Sequence, residues 1–94
     1  MDAVTFDLPA SLDIGEIGPY FKEITKSISQ LNESSNVSLD AQRVSSIDTT
    51  GLQLLVALVL ELTSRNIKFN WQNVPFELSD GARSLGLSQT LKLQ

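Results

Sequence analysis

Between residues 52 and 62 the chain reads LQLLVALVLEL, and a helix built from this segment is apolar around most of its circumference. A helix of this kind has to be covered on several sides to keep its side chains out of water. The sequence therefore predicts a central helix over residues 49–64, packed between a sheet and neighbouring helices. The alternative is that part of this helix stays uncovered and forms a partner surface.

Other segments of the chain carry the periodicities of strands and helices. Three short segments alternate between apolar and polar residues, which predicts half-buried strands over residues 4–8, 37–41 and 67–72. A first helix is predicted from about residues 16–19 to residue 31, with one apolar face. A third helix is predicted from Pro75 to a stop at Gly86. The remaining tail either docks on the fold or frays.

The order strand, helix, strand, helix, strand, helix is typical of α/β proteins. Crossovers through helices make neighbouring strands parallel. We therefore expect one α/β domain over residues 1–94, with a central mixed or parallel sheet of about four strands covered by helices.

The composition excludes several kinds of chemistry. The 94 residues contain no cysteine and no histidine, which removes disulfides, thiol nucleophiles, histidine acid–base catalysis and the usual zinc sites. The formal net charge is -4, so a nucleic-acid backbone would be repelled on average, and we expect no nucleic-acid partner.

The sequence also lacks targeting and membrane signals. The start, MDAVTFDLPASLD, has neither the basic residues nor the apolar core of a secretory signal. The apolar run over residues 54–60 is far shorter than the ~20 residues of a membrane-spanning helix. We expect a soluble, cytoplasmic protein with no insertion into the membrane.

The central helix is preceded by the motif SSIDTTG over residues 45–51. Asp48 can accept hydrogen bonds from the first-turn N–H groups and is favoured there by the helix dipole. Thr50 then stands at the positive end of the helix, where a phosphate would meet backbone N–H donors but also the charge of Asp48. The motif is therefore either a helix cap or a cap that also carries a switchable hydroxyl. Gly51 costs ~1 kcal/mol against alanine in a helix, so another element of the fold or a partner must approach it closely.

Catalytic and metal-binding alternatives have less support in the sequence. Asp13, Asp40 and Asp48 could gather as a magnesium site, although three separate, solvated carboxylates are the more ordinary arrangement. The serines have no histidine to activate them, and no phosphate-binding G-x-x-x-x-G-K-[ST] motif is present. We expect no catalytic residue, no cofactor and no metal.

The segment VSLDAQRVSSIDTTGLQLL resembles the signature of STAS domains, the family of anti-sigma factor antagonists. In that pattern an apolar strand ends in Leu-Asp, and Asp-Ser-Ser-Gly-Leu opens an apolar helix. The matching positions are Val37, Leu39, Asp40, Val44, Asp48, Thr49, Thr50, Gly51, Leu52 and Leu55. Leu12-Asp13 matches an earlier Leu-Asp point of the family. Thr49 and Thr50 stand where serines are commoner.

The resemblance implies a non-enzymatic protein that binds a partner such as an anti-sigma factor with Ser/Thr kinase activity. It implies phosphorylation at Thr50, with Thr49 as second choice, and a partner-binding surface formed by Asp13, Asp40, Asp48, Thr49, Thr50 and Gly51. Phosphate on the hydroxyl before the glycine dissolves such complexes in the family. The chain is also similar to short STAS proteins encoded among bacterial chemotaxis genes.

Two alternatives remain open at this point. The first is a constitutive subunit of a larger assembly, either the ATPase complex of a lipid transporter or a chemotaxis array, in which Thr49 and Thr50 are unmodified contacts. In the lipid-transport branch of the family the contacting threonine directly follows the aspartate, which here is Thr49. The second is a sensor of a small ligand or nucleotide at the same helix end.

Overall fold

The computed structural model describes residues 3–13, 15 and 17–93. Strands and helices alternate along it, which confirms the predicted α/β class. In chain order the elements are β1 (Ala3–Asp7), β2 (Ser11–Leu12), α1 (Ile17–Ile28), β3 (Asn36–Asp40), β4 (Ser46–Ile47), α2 (Thr49–Ser64), β5 (Lys68–Gln72), α3 (Phe76–Ser84) and α4 (Ser88–Leu91).

The strands form two parallel sheets. The main sheet has three strands in the order β1-β3-β5. They are parallel because the crossovers through α1 and α2 return the chain to the same end of the sheet. The second sheet joins β2 to β4 over two residues each. The described residues therefore contain one sheet of three strands and one sheet of two strands. The sequence predicts instead a single sheet of about four strands. Two-residue strands are too short to show an alternating pattern.

The register of the main sheet places apolar side chains on one face and polar side chains on the other. Val37 and Leu39 of the central strand are buried, and their partners on the edge strands are half-buried. The apolar rows are Val4–Val37–Phe69 and Phe6–Leu39–Trp71. The polar row between them is Thr5–Ser38–Asn70. The helices cover the apolar face.

Helix α2 has the bounds that the sequence predicts and lies at the centre of the fold. It contacts α1, α4, β2, β4 and β5, so its wide apolar surface is covered from several directions. Its buried residues are Gly51, Leu52, Leu55, Leu58, Val59 and Leu62. Packing within the fold therefore covers most of the apolar surface of residues 52–62. No helix among residues 3–13, 15 and 17–93 has both the length and the apolar composition needed to cross a membrane.

The other two long helices match the predicted pattern in part. Helix α1 starts at Ile17, within the range of residues 16–19 in which the sequence predicts its start. Residue 16 lies outside the described residues. Phe21 belongs to the predicted apolar face of α1 but is 40% exposed. The predicted apolar face of α3 consists of Leu78, Ala82 and Leu85. Leu78 and Ala82 are buried, but Leu85 follows the end of α3 at Ser84 and is 48% exposed.

The C-terminal segment docks rather than frays. Leu91 is fully buried, Leu93 is nearly so, and the Trp71 indole N–H donates to the carbonyl oxygen of Leu91 at 2.8 Å. Residue 94 lies outside the described residues.

Candidate functional site

Asp48 forms the N-cap of α2. Its backbone is extended (φ -118°, ψ -177°), and its Oδ1 accepts a hydrogen bond from the Gly51 N–H at 2.9 Å. A cap of this kind stabilises a helix by about 1 kcal/mol. The Asp48 N–H donates to the carbonyl oxygen of Leu12 at 3.1 Å, so the cap also fastens the start of α2 to β2.

Gly51 is required by the close approach of that same strand. A Cβ atom at position 51 would lie 2.8 Å from the carbonyl carbon and 2.9 Å from the Cβ of Leu12, and nearer still to the Leu12 carbonyl oxygen. Real side chains do not tolerate such distances, so α2 can pack on β2 only with glycine here. The sequence allowed either another element of the fold or a partner to approach Gly51. The structure shows that the approaching element is β2, which is part of the fold.

Thr49 and Thr50 occupy the first two positions of α2, and both are exposed. The helix dipole places its positive end at these residues, and the first-turn N–H groups face the same end. Thr49 also lines a groove between the start of α2 and α3, whereas Thr50 is not among the residues that line it. The two hydroxyls are therefore adjacent in sequence but face different surroundings.

Asp13 directly follows β2, the strand that contacts the start of α2. It follows Leu12, whose carbonyl oxygen accepts the Asp48 N–H, and its own Oδ1 accepts from the Gly15 N–H at 3.1 Å. The backbone oxygen of Asp13 accepts from the N–H of Ile17 at 3.0 Å. Asp13 thus shapes the turn into α1 beside the start of α2.

Asp40 ends the central strand and stabilises the turns at the carboxyl edge of the sheet. Its Oδ1 accepts from the Gln42 N–H at 3.0 Å and from Asn73 Nδ2 at 3.2 Å. Asn73 has a positive φ of 54°, so this contact holds a left-handed turn after β5. The hydrogen bonds of Asp40 therefore run to the neighbouring turns of the sheet, and those of Asp48 run to β2 and α2.

Acidic side chains do not assemble into a metal centre in the part of the chain that the structure describes. No group of three or more histidine, cysteine, aspartate or glutamate residues is arranged there to hold a metal ion. Asp13 follows β2 and Asp48 follows β4, the parallel partner of β2, whereas Asp40 ends the central strand of the main sheet.

The groove beside Thr49 was missed by sequence reasoning. It has a volume of about 590 Å³ and is bordered by Phe76 and Leu85, which are 70% and 48% exposed. The charged side chains that line it are Asp48, Glu77 and Asp80. The available signal was Phe76, an apolar residue that follows Pro75 directly and lies off the periodic face of α3.

Tyr20 of α1 has a shifted pKa. Burial raises the pKa of Tyr20 well above its ordinary value, and the carboxylates of Glu23 and Asp7 raise it further. The Tyr20 hydroxyl donates to the Asp7 carbonyl oxygen at 3.4 Å, which ties α1 to β1. Tyr20 is part of the α1–β1 packing and is not among the residues that line the groove beside Thr49.

The fold and the capped helix start together define a small α/β domain of parallel strands and crossover helices. The family model of the STAS domain matches residues 2–94, essentially the whole chain, and the protein therefore belongs to the STAS domain family. No curated protein matches the chain. STAS domains are in general non-enzymatic regulatory modules, of the anti-sigma factor antagonist type, that mediate protein–protein interactions.

Proposed function

We propose that this STAS domain is a non-enzymatic, cytoplasmic regulatory module that binds a signalling partner through the surface around the start of α2. The partner is a Ser/Thr kinase of the anti-sigma factor type or a component of a bacterial signalling array, such as a chemotaxis array. Phosphate on Thr50 weakens the complex. The observation that carries this proposal is the exposed hydroxyl of Thr50 in the first turn of a capped helix.

The physical effect of the phosphate follows from its position. It adds about -1.5 to -2 charge next to Asp48 on a domain whose net charge is already -4. A partner surface that fits the neutral hydroxyl would have to accommodate a larger, strongly hydrated group. Desolvation of that group opposes binding even where backbone N–H donors are near. The exposure of Thr50 also gives a kinase access to its Oγ1.

Substitutions at Thr50 test this proposal. The partner that co-purifies with the tagged protein is incubated with it and ATP, and intact-mass and fragment spectra locate any added phosphate. We expect one phosphate on Thr50, and we expect Thr50→Asp to weaken binding of the same partner about tenfold or more, while Thr50→Ala binds within about twofold of wild type. Equal binding by the two variants would contradict a role for charge at this position.

A second candidate is favoured by the position of Thr49. Its side chain lines the groove, which suits an unmodified contact in a constitutive assembly such as the ATPase complex of a lipid transporter. In that case no phosphate is added, and Thr49→Ala weakens the complex more than Thr50→Ala does. The same two alanine variants therefore separate the candidates in one binding experiment.

A further inference from the structure

The groove between α2 and α3 combines an apolar floor with exposed apolar side chains at its border. Leu52 and Ile47 lie along its base, and Phe76 and Leu85 stand at the two ends of α3. A single exposed apolar residue is ordinary in a protein surface. Two large ones that line the same groove as Ile47 and Leu52 enlarge its apolar lining, which a partner could cover.

The length of this apolar surface fits a helix. Leu85 follows Phe76 by nine residues, so the two side chains are separated by about 13 Å along the axis of α3. Apolar residues at positions i and i+7 or i+8 lie on one face of a partner helix and are separated by about 11–12 Å along its axis, which is close to this distance. An amphipathic helix laid along α3 would therefore place one apolar side chain near each end.

The charge of the groove selects among possible occupants. Among the described residues, the charged side chains that line it are Asp48, Glu77 and Asp80. Asp80 also accepts from Arg83 Nη2 at 2.9 Å, but both side chains are largely exposed, so water and competing cations weaken this pair. A nucleic acid, an anionic membrane surface or a second copy of this acidic groove would each bring negative charge toward these carboxylates.

We infer that the groove binds a basic amphipathic helix of the protein partner. The apolar residues of that helix contact Phe76 and Leu85, and its lysine or arginine side chains pair with Glu77 and Asp80. This inference rests on the proposed function and goes further, because it assigns the chemistry of the partner and adds α3 to the binding surface. Thr49 lies inside the groove and Thr50 outside it, so the partner contacts the two hydroxyls with different parts of its structure.

Designed peptides test the inference without knowledge of the natural partner. The first probe is an amphipathic helix of about 15 residues, roughly four turns, with leucines on one face and lysines on the other. The second replaces every lysine by glutamate, and the third replaces the leucines by serines. Binding to the ¹⁵N-labelled full chain is measured by NMR titration at low and at high salt.

We expect the basic amphipathic peptide alone to bind, with shifted amide signals grouped on α3 and the start of α2 and with weaker binding at high salt. Phe76→Ala and Leu85→Ala should each weaken it about fivefold or more, and Glu77→Gln and Asp80→Asn should each weaken it by about two- to fivefold. The matched controls are Leu60→Ala, at an exposed leucine outside the groove lining, and Glu61→Gln, at an exposed carboxylate of α2. Both should bind within about twofold of wild type.

Several results would overturn the inference. They are equal binding by the acidic peptide, signals that shift elsewhere on the fold, or no effect of Phe76→Ala and Leu85→Ala. Concentration-dependent dimerisation of the free protein that Phe76→Ala abolishes would assign the groove to a second copy instead. Binding to vesicles of anionic lipid that the same substitution abolishes would assign it to a membrane.

The peptide also separates failure of this inference from failure of the proposed function. It does not reach Thr50, so Thr50→Asp should bind it at least as tightly as wild type does, because the added negative charge lies near a basic ligand. Loss of the natural partner on Thr50→Asp, combined with no effect of the groove variants on either ligand, would leave the Thr50 switch standing and remove the groove from the interface.

Discussion

At the residue scale, Gly51 shows how a functional-looking motif also serves the architecture. The glycine that follows the two threonines is needed because the backbone of Leu12 fills the space of a side chain. The motif around Thr50 therefore holds α2 on β2 while it presents two hydroxyls to solvent.

Substitution of Gly51 by alanine should destabilise the fold. The added Cβ meets the main chain of β2, which cannot move like a side chain, so we expect a loss of about 3 kcal/mol, the upper end of overpacking costs. The free energy of unfolding is measured by urea denaturation. Gly81→Ala, in α3, is the matched control, since its Cβ would lie 3.5 Å from Cδ1 of Leu52 in α2, an ordinary van der Waals contact. It should stabilise the protein by about 0.5–1 kcal/mol. Equal effects of the two substitutions would refute the steric account.

The single tyrosine gives the fold an alkaline pH dependence. Burial raises the pKa of Tyr20 above the value of about 10 that an unfolded chain has. As the pH rises past that unfolded value, the unfolded chain loses a proton that the folded chain keeps, so the free energy of unfolding falls. Below a pH of about 10, the contribution of Tyr20 to the free energy of unfolding is fully present.

Tyr20→Phe removes that proton and should flatten the alkaline part of the stability profile, measured by urea denaturation at a series of pH values. Since Tyr20 is the one tyrosine of the sequence, absorbance of tyrosinate in the native protein reports on it alone. Titration of the native tyrosine at its ordinary pKa would show that the hydroxyl is not held by the α1–β1 contact.

At the scale of elements, the docking of the C-terminal segment depends on α4 and β5. Leu91 is fully buried, and its carbonyl oxygen accepts the indole N–H of Trp71. Lys92 adopts a left-handed backbone (φ 60°) and places its Nζ 5.4 Å from the centre of the Phe69 ring. These contacts hold the C-terminal segment against the aromatic side chains of β5.

Shortening the Leu91 side chain should therefore destabilise the fold more than its position near the end of the chain suggests. Leu91→Ala is expected to lower the free energy of unfolding by about 2–5 kcal/mol, as for a leucine in any well-packed core. Emission from Trp71, the one tryptophan of the sequence, should shift to the red as water reaches the indole. Leu60→Ala, at a leucine that is 56% exposed, is the control and should change stability by less than about 0.5 kcal/mol. A small effect of Leu91→Ala would mean that the segment frays in solution.

Elements were predictable where the sequence carries a local signal of sufficient length. The bounds of α2 followed from Asp48 as a cap and from Asn66 after its end, where the backbone is left-handed (φ 58°). The alternation of Ile67, Phe69 and Trp71 likewise predicted β5. The two-residue strands β2 and β4 were not predictable, because they exist through their pairing with each other and through the packing of α2 on β2.

At the scale of the whole molecule, the strands and helices share one apolar core on one face of the parallel sheet. The Cα radius of gyration is 12.4 Å, close to the value of about 12 Å that a compact chain of this length has. The net charge of -4 is spread over this small surface, and the acidic groove between α2 and α3 lies at the same end of α2 as the exposed threonines. Charge and exposed apolar surface are thus combined where the regulatory hydroxyl is proposed to act.

The sequence by itself determined the α/β class, the bounds of α2, the cap at Asp48 and the STAS family. Each of these depends on residues that are close together in the chain, where periodicity and helix-end chemistry act directly. The tertiary structure alone decided that Leu12 is the reason for Gly51, that Asp40 binds the turn after β5, and that Thr49 lies in a groove bordered by Phe76 and Leu85. Those relations join residues that are distant in sequence, and they arise only when α2 and α3 pack against the strands.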